Sequence, residues 1–142
     1  METRLIVAAL VLLAALTAAR VLERRRSAPP TRDAYPVPAQ LDRADFPRPE
    51  TPWLVALFSA RNCDTCGPMA LKVAALEADD VATCDIEVSE QGELHRRYRI
   101  EGVPMVVVAD AEGVVCAGFV GTVSSEELVA ALAAAKDGRG IR

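Results

Sequence analysis

The chain of 142 residues, 51% apolar and 25% charged, has room for one domain and an extra hydrophobic segment. Its net charge is −4, acids dominate from Glu77 onward and aromatics are 4% of residues, so neither a basic nucleic-acid face nor a base-stacking platform is expected. Four cysteines (Cys63, Cys66, Cys84 and Cys116) are too few for the framework of a small secreted domain, and one histidine, His95, excludes a His-rich metal site.

Leu5 to Ala19 runs apolar, Arg20 interrupts it, and Val21 and Leu22 extend it. A bilayer core of about 30 Å needs about 20 helical residues. Leu5–Leu22 suffices as a single membrane-spanning anchor once Arg4 and Arg20 snorkel to the headgroups. The competing reading is a cleaved signal peptide with Thr17-Ala18-Ala19 as its small-x-small site; the barely positive Met1-Glu2-Thr3-Arg4 start argues against it. Arg4 alone precedes the run, whereas Arg20, Arg24, Arg25 and Arg26 follow it, offset by Glu23. The positive-inside rule then puts the following domain in the cytoplasm, with an extracytoplasmic domain as the alternative. Residues 1–26 are thus read as anchor and basic flank. Residues 27–52 hold Pro29, Pro30, Pro36, Pro38, Pro47, Pro49 and Pro52, and read as an extended spacer. Within it, Ala39 to Phe46 offers a short edge strand.

From Trp53 helices and strands alternate. Trp53 to Ser59 is a continuous apolar run, as for a strand buried on both faces. Met69, Val73 and Leu76 recur at helical spacing. Val81 to Val88 reads as a second strand and Gln91 to Arg99 as a polar helix with Leu94 and Tyr98 on one face. Met105 to Ala109 is a short buried strand, Glu112-Gly113 a turn, and Val114 to Val120 its hairpin partner. Ser124 or Ser125 caps a last helix with Leu128, Val129 and Leu132 inward. Residues 53–136 form this α/β domain, and 137–142 are a frayed tail.

Cys63-Asp64-Thr65-Cys66 follows the first buried strand and opens a helix. A helix N-terminus presents unpaired N–H groups and a positive dipole end, which stabilise a thiolate. The two-residue spacing lets the second sulfur sit a turn inward, close enough to bond the first.

This order of features resembles the thioredoxin family from about Trp53 to Ala135. The resemblance rests on Cys63-x-x-Cys66 after a buried strand, Val103-Pro104 before another, and Gly121 ahead of the final helix. The run Arg97-Tyr98-Arg99-Ile100-Glu101-Gly102-Val103-Pro104 is similar to the family's loop. The resemblance implies a three-layer α/β/α sandwich with a mixed central sheet and a cis Val103–Pro104 bond against the disulfide. It also implies Cys63 as attacking thiolate, Cys66 as resolving thiol, and the Val103 backbone pairing with the substrate's extended chain. No cofactor is implied.

The chain departs from the family at several positions. Asn62 replaces a usual tryptophan, Asp64-Thr65 a Gly-Pro pair, and Leu57 a frequent buried aspartate. Pro68 comes earlier than the family's kinking proline and removes a helix donor. Asp64 partly offsets the helix dipole beside Cys63, which favours a reducing poise.

Plainer readings stand beside these. Cys63 and Cys66 as half a zinc site would need two more ligands, yet Cys84 and Cys116 are isolated in predicted strands. A c-type haem would need histidine where Gly67 stands. Cys84 and Cys116 read as small buried apolar residues. His95 reads as a solvated helix residue because Arg96 and Arg97 flank it, and Trp53 as strand-end packing. Arg24–Arg26 is a topology signal before it is a lipid contact. The expectation is a membrane-anchored, monomeric thiol–disulfide reductant of protein substrates with an unidentified electron donor. The alternatives are a thioredoxin-fold scaffold without turnover and an exported disulfide-exchange protein.

Overall fold

The computed structural model describes residues 35–138 together with Leu13. The anchor or signal peptide expected over Leu5–Leu22 lies outside the described residues apart from Leu13, as does the tail beyond Gly138. Among the described residues no helix is long and apolar enough to cross a membrane. Packing divides the chain into two units, Met1–Pro30 and Thr31–Arg142, and the α/β domain lies in the second.

Strand β1 spans Trp53–Ser59, helix α1 Cys66–Ala74, β2 Val81–Glu87, α2 Val88–Arg97, β3 Met105–Ala109, β4 Val115–Val120 and α3 Ser125–Lys136. The sheet order is β2-β1-β3-β4. β2 runs parallel to β1, while β3 is antiparallel to both β1 and β4. The two strands that read as continuous apolar runs, β1 and β3, are the central pair. Every residue of β3, and all of β1 except Trp53, is buried, as strands covered on both faces must be.

Side chains alternate between two cores with the period of the pleat. Val55, Leu57, Val106 and Val108 meet Met69 and Val73 of α1 and Leu128, Leu132 and Ala135 of α3 on one face. Leu54, Ala56, Phe58, Met105 and Val107 form the other core with Ile86, and Leu94 and Tyr98 pack against it. The result is the expected three-layer α/β/α sandwich with a mixed sheet.

Several local expectations change. β2 ends at Glu87 because that side chain accepts a hydrogen bond from Ser89 N and so caps α2. The helix expected from Gln91 therefore starts at Val88, and Gln91 is instead a kink within it (φ −125°, ψ 39°). Ser124 caps α3 in a reciprocal pair with Glu127: Glu127 N donates to Ser124 Oγ at 3.1 Å and Ser124 N to Glu127 Oε2 at 3.0 Å. Val129 faces outward, 53% exposed. The inward stripe is Leu128, Leu132 and Ala135, whose i, i+4, i+7 spacing keeps one face.

The proline-rich segment before β1 is laid on the domain from Tyr35 onward. Val115 N donates to Ala39 O and Leu41 N to Gly113 O, at 3.0 and 2.8 Å. Gln40 of the segment forms an isolated antiparallel bridge with Val114. The edge strand expected over Ala39–Phe46 stops there because Asp42 accepts from Ala44 N and starts a 3-10 turn, Arg43–Asp45. Gly113 closes the β3–β4 hairpin at a φ of 81°, and a Cβ there would stand 2.0 Å from Leu41 O. Both facts demand glycine. Leu41 and Phe46 complete the second core, at 1% and 4% exposure.

Polar contacts hold this segment, among them two clusters of buried or paired groups. Buried Arg43 donates to Thr51 O, Thr51 Oγ1, Arg48 O and Asp110 O over 2.9–3.2 Å. At the end of α2, Tyr98 receives a hydrogen bond from Asp42 N (3.0 Å) and donates to Asp45, while Arg97 pairs with both aspartates.

Candidate functional site

β1 delivers the chain to the end of the sheet at Ser59, and the next residues turn back on themselves. Cys63 N donates to Ala60 O and Cys66 N to Cys63 O, both at 3.2 Å. α1 begins at Cys66, behind Thr65, which makes no side-chain cap bond. Cys63 and Cys66 are joined in a disulfide with a Cα–Cα distance of 5.4 Å, well inside the range a disulfide needs. Cys63 is partly exposed and Cys66 is buried. The Cys63 sulfur lies 3.6 Å from Thr65 Oγ1.

Pro68 is the third residue of α1, and the first helical hydrogen bond runs from Met69 N to Thr65 O. The donor that Pro68 lacks therefore belongs to a first turn whose N–H groups have no intrahelical partner. The donor that Pro68 removes thus costs α1 no intrahelical bond.

The charges around the turn come from two loops. Arg61 pairs with Glu87 at 3.6 Å and with Glu90, and its backbone N–H donates to Glu87 Oε1. The Glu87 carboxyl is held below the usual range, first by its hydrogen bond from the Ser89 hydroxyl. Asp64 is exposed. Leu57 is wholly buried beside Met69 and Val73, so β1 places no carboxylate beneath α1 there.

The Val103–Pro104 peptide bond is cis. Pro104 is buried, Val103 is half-buried, and Gly121 N donates to Pro104 O at 2.8 Å. β3 pairs with β1 through Phe58 and Met105. One residue beyond that pair lie Ser59 at the end of β1 and Pro104 just before β3, so both motifs stand at the same end of the sheet.

The remaining cysteines are elsewhere. Cys84 lies on edge strand β2 against the second core, and Cys116 on the opposite edge, β4, against the first. Both are free. Burial pushes the Cys84 thiol up to about 12 and raises that of Cys116 as well. Among the described residues no group of three or more His, Cys, Asp or Glu could hold a metal ion.

His95 is not solvated. It is 5% exposed, its Nε2 lies 2.7 Å from Ile86 O, and its ring meets Phe58 edge-on at 5.3 Å. The arginines at 96 and 97 point out because each residue turns the helix about 100°. Leu94, His95 and Tyr98 share the inward face, which the i, i+3, i+4 rule could have shown. The burial of Arg43 had no signal in the sequence, since nothing in its neighbours marks an arginine that pins a loop.

The sequence pattern of the thioredoxin-like domain family matches residues 40–136. No curated protein sequence matches the chain. Among solved structures, a mutant thioredoxin from Halobacterium salinarum NRC-1 is similar over 66% of this chain and 79% of its own, with 26% identity and a TM-score of 0.53. Mitochondrial thioredoxin 3 of Saccharomyces cerevisiae in its oxidised form shares the fold at 20% identity, over 59% of this chain and 79% of its own, with a TM-score of 0.51. Deadhead, the germline-specific thioredoxin of Drosophila melanogaster, does so at 24% identity, over 60% and 82%, with a TM-score of 0.52.

Proposed function

The chain belongs to the thioredoxin-like family, and from that membership we propose that it is a membrane-anchored thiol–disulfide oxidoreductase that reduces protein disulfides. The observation that carries the reading is the Cys63–Cys66 disulfide at the start of α1, with its first cysteine accessible and its second buried. The fold and the cysteine pair support thiol–disulfide redox chemistry in general. The reducing direction, the protein substrates and the anchor are our reading.

In the reduced protein, the Cys63 thiolate at the head of α1 attacks one sulfur of a substrate disulfide. The substrate's S–S bond breaks, its other sulfur leaves as a thiolate and takes up a proton, and a mixed disulfide forms on Cys63. Cys66 then loses its proton and attacks the Cys63 sulfur. The substrate's second sulfur leaves, and the Cys63–Cys66 disulfide remains. Two electrons have passed to the substrate, and a separate reductant must restore the dithiol. The backbone of Val103 pairs with the substrate's extended chain beside Pro104. Asp64 adjoins Cys63 and opposes the helix dipole, which favours reduction over oxidation.

Insulin reduction driven by a dithiol donor tests this. The full chain should turn over, Cys63→Ser should be inactive, and Cys66→Ser should accumulate a mixed disulfide. A chain that binds substrates without turnover would instead be a scaffold, the reading that the departures at Asn62 and Leu57 favour.

A further inference from the structure

Two glycines show where the segment before β1 presses on the domain. Neither Gly102 nor Gly118 has a positive φ, so backbone conformation does not demand glycine at either place. Side chains do. A Cβ on Gly118 would stand 2.3 Å from Val37 Cγ1. A Cβ on Gly102 would stand 2.9 Å from Cγ and Cδ2 of Tyr35 and 3.3 Å from its Cδ1. The two partners, Tyr35 and Val37, are two residues apart, so in extended chain they face the same way. Val37 packs against the second core. Each glycine is a notch that receives one side chain of the strap.

The notch at Gly102 adjoins the site, because Val103 and Pro104 follow it directly. The Tyr35 ring is seated there by its inner atoms, yet the residue is 42% exposed. A tyrosine fixed at one end offers apolar area and a hydroxyl at small cost in side-chain entropy. We propose that Tyr35 is a specificity-determining residue, its exposed ring forming a shelf for an apolar side chain of the extended polypeptide that carries the disulfide. The inference rests on the proposed redox function and narrows its substrate class. Polypeptides with an apolar residue near the target cysteine gain from the shelf, whereas a small disulfide carries no side chain to place on it.

The test compares insulin with hydroxyethyl disulfide as substrates of the full chain. Tyr35→Ala should raise KM for insulin about five- to tenfold with kcat little changed, and should leave hydroxyethyl disulfide reduction as it is. Tyr35→Phe should behave as wild type. Gly102→Ala, whose methyl group evicts the ring, should reproduce the insulin defect, and the double variant should be no worse than either single one. An equal loss on both substrates would make Tyr35 merely structural, and an unchanged insulin KM in Tyr35→Ala would also overturn the shelf. Failure of the redox reading looks different: wild type reduces neither substrate, or Cys63→Ser reduces both as fast as wild type, and the shelf falls with it.

Discussion

Four thiols of the same intrinsic chemistry meet different fates in this protein because their surroundings differ. Cys63 sits in a turn at the head of a helix, while Cys84 is desolvated on β2 with Asp85 and Glu77 adding to the rise of its pKa to about 12. At pH 8 a thiol with that pKa is ionised in about one molecule in ten thousand, and only the thiolate reacts. Brief alkylation of the reduced native protein at pH 8 should therefore modify Cys63 first, with Cys84 protected until the protein is unfolded. Peptide mapping would read the outcome. Modification of Cys66 ahead of Cys63 would reverse their roles, and rapid labelling of Cys84 would contradict its raised pKa.

At the level of elements, the strands buried on both faces were plain in the sequence: Trp53–Ser59 and Met105–Ala109 have the bounds that their apolar runs indicated. Helix faces were less so. In α3 the run Leu128-Val129 offers two neighbouring apolar residues, and only the sheet beneath decides which is inside. Leu128 is fully buried and Val129 is 53% exposed. Leu128→Ala should cost about 2–5 kcal/mol, since it removes core contacts and leaves a cavity. Val129→Ala should stay within about 0.5 kcal/mol, as exposed substitutions do. Urea unfolding of both variants would check this, and comparable losses would mean that the helix is rotated from this face.

At the level of the whole molecule, the strap makes the folded unit larger than its α/β pattern. Leu41 and Phe46 close the second core, and Arg43 ties the strap to Thr51 and to the Asp110 loop. Burying a Leu or Phe side chain contributes about 1.5–3 kcal/mol, against a usual domain stability of about 5–15 kcal/mol. A fragment of residues 35–138 should thus melt cooperatively, whereas 53–138 should melt far lower or aggregate; equal melting temperatures would show that the strap adds nothing. The orientation of the whole chain is a separate matter. Arg20 near the end of the Leu5–Leu22 run and Arg24, Arg25 and Arg26 after it, against Arg4 before it, are the grounds on which we propose a cytoplasmic domain by the positive-inside rule. A cytoplasm-active reporter fused after Arg142 should work and a periplasm-active one should stay silent; the reverse would move the protein's disulfide exchange outside the membrane.

By itself the sequence determined the features whose causes are local. A two-sided buried strand needs an unbroken apolar run, a dithiol that closes over one helical turn needs two intervening residues, and a loop of Gly102-Val103-Pro104 ahead of β3 can be read in place. Tertiary structure alone decided the features in which distant residues meet. His95 is buried because α2 lies against Phe58, although Arg96 and Arg97 follow it in the chain. Gly102 is a notch only because Tyr35, 67 positions earlier in the sequence, returns to fill it. Arg43 can be buried because the carbonyls of Arg48, Thr51 and Asp110 converge on its guanidinium. Local propensity carries no record of such contacts, since they exist only once the chain has closed on itself.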